Sequence, residues 1–88
     1  MKYLFTDRGF EDYRYWADQD RKILRKLNRL IIDASRDPFS GIGKPEPLRH
    51  EFSGYRSRRI DGEHRLIYRV KEADFGEYIE IVQCRFHY

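Results

Sequence analysis

Eighty-eight residues, 40% hydrophobic, 38% charged and 16% aromatic, make one small folded domain over residues 1–88. The aromatic share argues against disorder, no apolar run approaches the ~18 residues of a bilayer span, and the Met1–Phe5 start is too short for a signal peptide. The single cysteine, Cys84, forbids an internal disulfide and offers too few thiols for zinc, so a cytoplasmic domain without membrane segment, metal or cofactor is expected.

The net charge of +3 is mild, but its distribution is uneven. Residues 44–69 carry seven basic and four acidic groups, against nine and seven in residues 1–43 and two and four in residues 70–88. The excess comes from Arg49, Arg56, Arg58, Arg59, Arg65 and Arg69, and the planar guanidinium fork suits phosphate better than a point charge does. An ordinary solvated strand surface is the plain alternative. A chain this short buries only ~60–65% of its unfolded surface, so a partner or a homodimer would add stability.

In chain order, Lys2–Phe5 reads as a strand, and Thr6-Asp7 as the N-cap of a helix from Asp7 to about Ala17. Asp18 or Asp20 caps a second helix, whose Ile23, Leu24, Leu27, Leu30 and Ile31 form one apolar stripe. Arg21, Lys22, Arg25, Lys26 and Arg29 occupy its other faces, where solvent is the simplest neighbour. Asp37-Pro38 ends it, because the residue before proline is pushed out of the α region. Residues 37–47 hold all three prolines and two of the six glycines and read as a stiffened loop. Strands are expected at about Tyr55–Ile60, Arg65–Lys71 and Glu77–Phe86, joined by Asp61-Gly62 and by Ala73-Asp74-Phe75-Gly76. The order implies an α+β fold: a small antiparallel sheet with two N-terminal helices packed on one face.

Alternation puts Leu66, Tyr68 and Val70 on one face of the fourth strand, with Arg65, Ile67 and Arg69 on the other. In the third strand Arg56, Arg58 and Ile60 oppose Tyr55, Ser57 and Arg59. The face away from the helices is left open, and each strand can place an arginine there. Tyr55 and Tyr68 read as packing residues and Cys84 as a small buried hydrophobe. A terminal Arg85-Phe86-His87-Tyr88 directly after a strand is not expected to hang free. Gly41-Ile42-Gly43-Lys44 is no P-loop, since Pro45 stands where Ser or Thr is needed and the glycine spacing is wrong. His50, His64 and His87 show no metal-ligand spacing.

Several stretches together resemble a known family: Asp12-Tyr13 with Tyr15-Trp16, Asp37-Pro38-Phe39, Gly43-Lys44-Pro45-Glu46-Pro47-Leu48, Ser57-Arg58-Arg59-Ile60, Glu63-His64-Arg65-Leu66, and the terminal His87-Tyr88. In this order and at this length the chain resembles the YoeB/Txe branch of the RelE-type bacterial toxins. The resemblance implies a RelE-like, microbial-RNase-like fold and a ribosome-dependent messenger-RNA endonuclease. It implies neutralisation by an antitoxin of the YefM/Phd type, with the ribosome and mRNA as further partners. It places catalysis on Glu46, Arg65, His87 and Tyr88, and RNA or phosphate binding on Arg49, Arg59, Lys44 and Arg58. Arg49 stands where relatives often carry lysine, and the 71–77 hairpin looks a few residues longer than theirs.

The residue types suit that chemistry. Metal-free RNA cleavage uses the substrate's own 2′-hydroxyl, and needs a base, an acid for the 5′-oxygen and cations for the phosphorane. Glu46, held between two prolines, can be the base. His87, whose imidazole can carry and give up a proton, can be the acid. Arg65, with Arg59 or Arg49, can hold the non-bridging oxygens, and Tyr88 can stack on a base. Each has a bland alternative: a solvated loop carboxylate, a histidine in a tail, a surface ion pair. The rival functions are a non-catalytic toxin of the ParE type and a small RNA-binding protein.

Overall fold

The computed structural model describes residues 1–87. Strand β1 (Lys2–Phe5) leads into helices α1 (Asp7–Gln19) and α2 (Arg21–Arg36). Strand β2 (Glu46–Pro47), a 3₁₀ turn at His50–Phe52, and strands β3 (Arg56–Arg59), β4 (Arg65–Ala73) and β5 (Gly76–Gln83) follow. Among the described residues no helix is long and apolar enough to cross a membrane.

Both helices start where a side chain satisfies their free N–H groups. Thr6 accepts from the Gly9 N–H at 3.1 Å, and Asp20 accepts from Lys22 and Ile23, both at 3.1 Å. Helix α2 stops at Arg36, ahead of Pro38. Its apolar stripe supplies Leu27, Leu30, Ile31 and Ala34 to a core completed by Trp16, Ile60, Leu66, Tyr68, Ile79, Ile81 and Cys84. Burial pushes the Cys84 thiol well above its ordinary pKa, which leaves it an unreactive hydrophobe.

The sheet order is β1-β5-β4-β3-β2, and it departs from expectation in two ways. First, the sheet is mixed, because β1 runs parallel to β5, with Lys2 opposite Tyr78 and Phe5 opposite Ile81. A parallel neighbour needs a long crossover, and the two helices lying between β1 and the rest of the sheet provide one. Secondly, Glu46 and Pro47, expected within the loop, form an edge strand against Ser57 and Arg56. Proline has no N–H to give a ladder, but on an edge strand none is required.

Helix α1 lies very close to β5. A Cβ on Gly9 would stand 2.3 Å from the Ile81 carbonyl oxygen, so only glycine fits there. Beyond β5, α1 takes both backbone groups of Cys84. Asp12 accepts its N–H at 3.0 Å, and the Trp16 indole N–H donates to its carbonyl at 2.8 Å. The expected last strand is cut short there, at Gln83.

Arg58 corrects the sequence reading most. It was expected to bind phosphate, yet it is fully buried, and all five of its N–H donors are used inside the protein. Nε donates to the Tyr68 hydroxyl (2.9 Å), Nη1 to Asp33 (2.6 Å) and the Ile42 carbonyl (3.1 Å), and Nη2 to the Asp37 (2.7 Å) and Ser40 (2.9 Å) carbonyls. Tyr68 passes its own proton to the Pro38 carbonyl at 2.6 Å. Four carbonyls of the 37–42 loop therefore hang from one guanidinium and one phenol.

Cutting this hub should unfold the loop rather than tune it. Arg58→Met keeps the aliphatic stem and should cost about 3–5 kcal/mol in urea-induced unfolding, since it strands Asp33, Tyr68 and the loop carbonyls. A loss below 1 kcal/mol would mean that the loop carbonyls find other partners.

The same hub sets an acid limit. The Ile42 N–H and the Arg58 guanidinium hold Asp33 below the ordinary carboxylate value of 3.8. Asp37 is lowered by the Ser40 hydroxyl and the Phe39 N–H. At Asp61 burial opposes ionisation, but the His64 and Glu63 N–H groups outweigh it. A lowered folded pKa means stability that is complete above the unfolded value and is lost as pH falls through the folded one. Unfolding free energy should be level above about pH 5 and fall below about pH 4, and Asp33→Asn should make that acid limb shallower.

Candidate active site

The face of the sheet turned away from the helix core, the open face, is laid out by register, although Ser57 and Ile67 within it are buried. Glu46 stands opposite Ser57, Ser57 opposite Ile67, and Ile67 opposite Gln83, a row that crosses β2, β3, β4 and β5. Paired residues share a face. Two positions along, Arg59 stands opposite Arg65 on the same face. The edge carboxylate and two arginines from β3 and β4 thus share one face of the sheet.

Gln83 joins this row through an irregularity. The register slips between Ile67 and Tyr68, so that Ile67 faces Gln83 while Tyr68 faces Ile81. Regular alternation would have left Gln83 on the core face with Ile81; the extra residue in β5, Val82, carries it across. There its amide donates to the Arg85 carbonyl at 3.2 Å and to the His87 carbonyl at 2.6 Å. His87 is exposed and is drawn back to the strand the chain has just left.

The turn between Cys84 and His87 is tight. Phe86 has φ 65°, the left-handed region, which costs a non-glycine residue ~1–2 kcal/mol. It is held from both sides. Its N–H donates to His64 Nδ1 at 2.8 Å, and its carbonyl accepts from the Arg65 N–H at 3.1 Å. Arg85 stacks on the Tyr15 ring, 3.4 Å from its centroid. Residues 84–87 are therefore held by their neighbours and do not hang free.

Arg65 is fixed along one edge only. Its Nη1 donates to the carbonyls of Asp61 (2.8 Å) and His64 (3.0 Å), and among the described residues its Nε and Nη2 have no partner. Glu46 and Arg49 line one cavity of about 620 Å³ formed by residues 46–52. Lys44 and Arg59 share another, of about 540 Å³, with Lys26 and Arg29 of α2. The chain reaches Glu46 through a bend in which Gly43 has φ 81° and Lys44 φ 53°. A Cβ on Gly43 would lie 2.7 Å from Leu30, so the bend packs directly on α2. No group of three or more His, Cys, Asp or Glu among the described residues could hold a metal ion.

The sequence matches the family described as YoeB-like toxin of bacterial type II toxin-antitoxin system over residues 5–88. The chain belongs to that family. It is 52% identical over 88 residues to Toxin YoeB of Streptomyces coelicolor, covering all of both chains. Its fold is similar to the YoeB/ParE toxin from Agrobacterium tumefaciens, with a TM-score of 0.95, 48% identity and full coverage of both chains. It is also similar to the toxin in the heterotetrameric YoeB-YefM complex from Staphylococcus aureus, with a TM-score of 0.85, 40% identity and coverage of 100% and 98%.

For this YoeB-family chain, the residues expected to act fall into four groups. Glu46, Arg59 and Arg65 share one face of the sheet, to which the His87 backbone is tied through Gln83, while Arg49 lines a cavity with Glu46 and Lys44 another with Arg59. Arg58 lies behind the sheet, in the hub. Tyr88 lies outside the described residues. Gln83 and His64, which hold the tail, carry no role in the sequence reading. Gln83 is hidden by the bulge, and His64 bonds a residue 22 positions away.

Proposed function

We propose that this YoeB-family protein is a ribosome-dependent mRNA endonuclease that cleaves by transphosphorylation from the substrate's 2′-hydroxyl. The observation that supports it best is the layout of the sheet face, a carboxylate at one end of a cross-strand row and the His87 backbone carbonyl tied to Gln83 at the other, with Arg59 and Arg65 two positions along. Glu46 takes the 2′-hydroxyl proton as O2′ attacks phosphorus. The bond from phosphorus to O5′ breaks, and His87 gives its proton to the departing oxygen. Arg65, through its Nε and Nη2 edge, and Arg59 bind the non-bridging oxygens as charge builds there. Lys44 and Arg49 hold flanking phosphates, and Tyr88 stacks on a base.

The action is cytoplasmic, on translating ribosomes. Its natural inhibitor is an antitoxin of the YefM/Phd type, by analogy with the Staphylococcus aureus YoeB-YefM assembly.

Mapping the ends of cleaved mRNA tests the chemistry. Products should carry a 2′,3′-cyclic phosphate or 3′-phosphate upstream and a 5′-hydroxyl downstream. One 2′-deoxy substitution at the cut position should abolish cleavage with binding nearly unchanged. Glu46→Gln and His87→Ala should each reduce the rate by about 10²–10⁴-fold in folded protein, and cleavage should survive EDTA once ribosome assembly is maintained. A 5′-phosphate, or undiminished cutting of the deoxy-substituted strand, would show water to be the nucleophile and remove both roles.

Expression in cells tests the toxin reading separately. Soluble, uncomplexed protein should arrest growth, and co-expression of the antitoxin should relieve it. Normal growth with abundant free protein would contradict the proposal.

A further inference from the structure

His64 sits where α1, the β3–β4 turn and the tail meet. Its ring stands edge-on to Trp16 at 4.7 Å and tilted against Phe86 at 5.6 Å, and its side chain is 12% exposed. Its own N–H is tied to the Asp61 carboxylate at 2.6 Å. With Nδ1 accepting from Phe86, the ring proton belongs on Nε2, which faces Glu63 Oε1 at 3.5 Å. The imidazole therefore comes pre-aimed, and its one inward lone pair meets the N–H of the residue with left-handed backbone. We propose that His64 is a positioning residue for His87: by accepting the Phe86 N–H it holds the tail turn that sets where His87 stands on the open face.

Three features carry this. A left-handed Phe86 persists only where its surroundings over-determine it, and the bonds at its N–H and its carbonyl do so. Residue 87 follows immediately, so any relaxation of Phe86 swings His87 relative to Arg65 and Glu46. The other hold on His87, the Gln83 amide, grips its carbonyl and not its ring, so the direction of the chain entering residue 87 is left to the turn. The consequence for cleavage rests on the reading of His87 as the acid; the hold on the tail does not.

Two variants separate packing from acceptance. His64→Phe keeps an aromatic ring against Trp16 and Phe86 but has no acceptor. His64→Asn gives up the ring and places an amide oxygen near the Nδ1 position. NMR should show rapid Phe86 amide exchange and lost order at residues 85–87 in His64→Phe, with protection and order regained in His64→Asn. Single-turnover cleavage on programmed ribosomes should fall about 100-fold in His64→Phe, with half-saturation unchanged, and His64→Asn should recover at least about tenfold of that loss.

In the unaltered protein, a ¹⁵N–¹⁵N coupling across the hydrogen bond should link Phe86 N to His64 Nδ1, a measurement that does not depend on a variant folding. Absence of that coupling, or an ordered tail with a protected Phe86 amide in His64→Phe, overturns the proposal. So does a His64→Asn protein that matches His64→Phe in both readouts. If His87→Ala cleaves like the unaltered protein, the catalytic reading fails, and the amide exchange still reports on the tail by itself.

Discussion

A fully buried guanidinium with every donor spent is the constraint around which this small protein is arranged. Arg58 reaches from the core face of β3 to the loop after α2, where it meets one carboxylate and three carbonyls, and it also meets the Tyr68 hydroxyl. A charge in that position is tolerable only when paired and fully hydrogen-bonded, so the loop cannot drift without exposing the cost. The loop therefore behaves as part of the core. Its continuation through Gly43 is pinned as well, since the Gly43 carbonyl accepts from the Arg59 N–H at 2.6 Å. Glu46 comes three residues later and pairs with Ser57, beside Arg58 on the same strand. A residue that never touches the open face thus fixes the edge from which the carboxylate projects.

The opposite end of the row is secured by different means. The described part of the tail is held by a series of separate hydrogen bonds, one of them to the buried Asp12 carboxylate. Asp12 and Trp16 take Cys84, His64 and Arg65 take Phe86, and Gln83 takes Arg85 and His87. Each bond is worth only about 0.5–1.5 kcal/mol, and part of that sum is offset by the left-handed Phe86. The carboxylate end therefore depends on one shared hub, and the tail on several separate contacts.

Much of this was legible in the sequence, and the exceptions have physical reasons. The second helix announced itself through the stripe from Ile23 to Ile31 and the proline at 38, and Asp61-Gly62 marked the hairpin. The parallel seat of β1 depends on a contact between the two ends of the chain, which no local pattern encodes. Strand β2 is two residues long and contains proline, so nothing in its composition favours an extended ladder. Arg58 misled because charge reads as surface, although alternation had already placed it with Ile60, a core residue. Tyr68 was rightly read as a packing residue, but its hydroxyl is equally a member of the hub. Gln83 could not be found by alternation at all, since the bulge reverses the face that alternation assigns.

Two cross-strand pairs on the open face show most directly what that face is suited to. Arg69 stands opposite Glu80 and bonds it at 2.7 Å, the usual resolution of a charge on a sheet. Arg59 stands opposite Arg65, and like charges placed directly across a ladder repel. A sheet selected for stability alone would put a carboxylate at one of those positions, as it does at Glu80. Here the nearest fixed partners of Arg65 are backbone carbonyls, which orient the guanidinium without cancelling its charge. An anion bound between the two side chains would offset that repulsion. A phosphodiester crossing the row between Glu46 and the tail would supply that anion. The repulsion would then become transition-state binding, since a phosphorane carries more negative charge than the phosphate it came from.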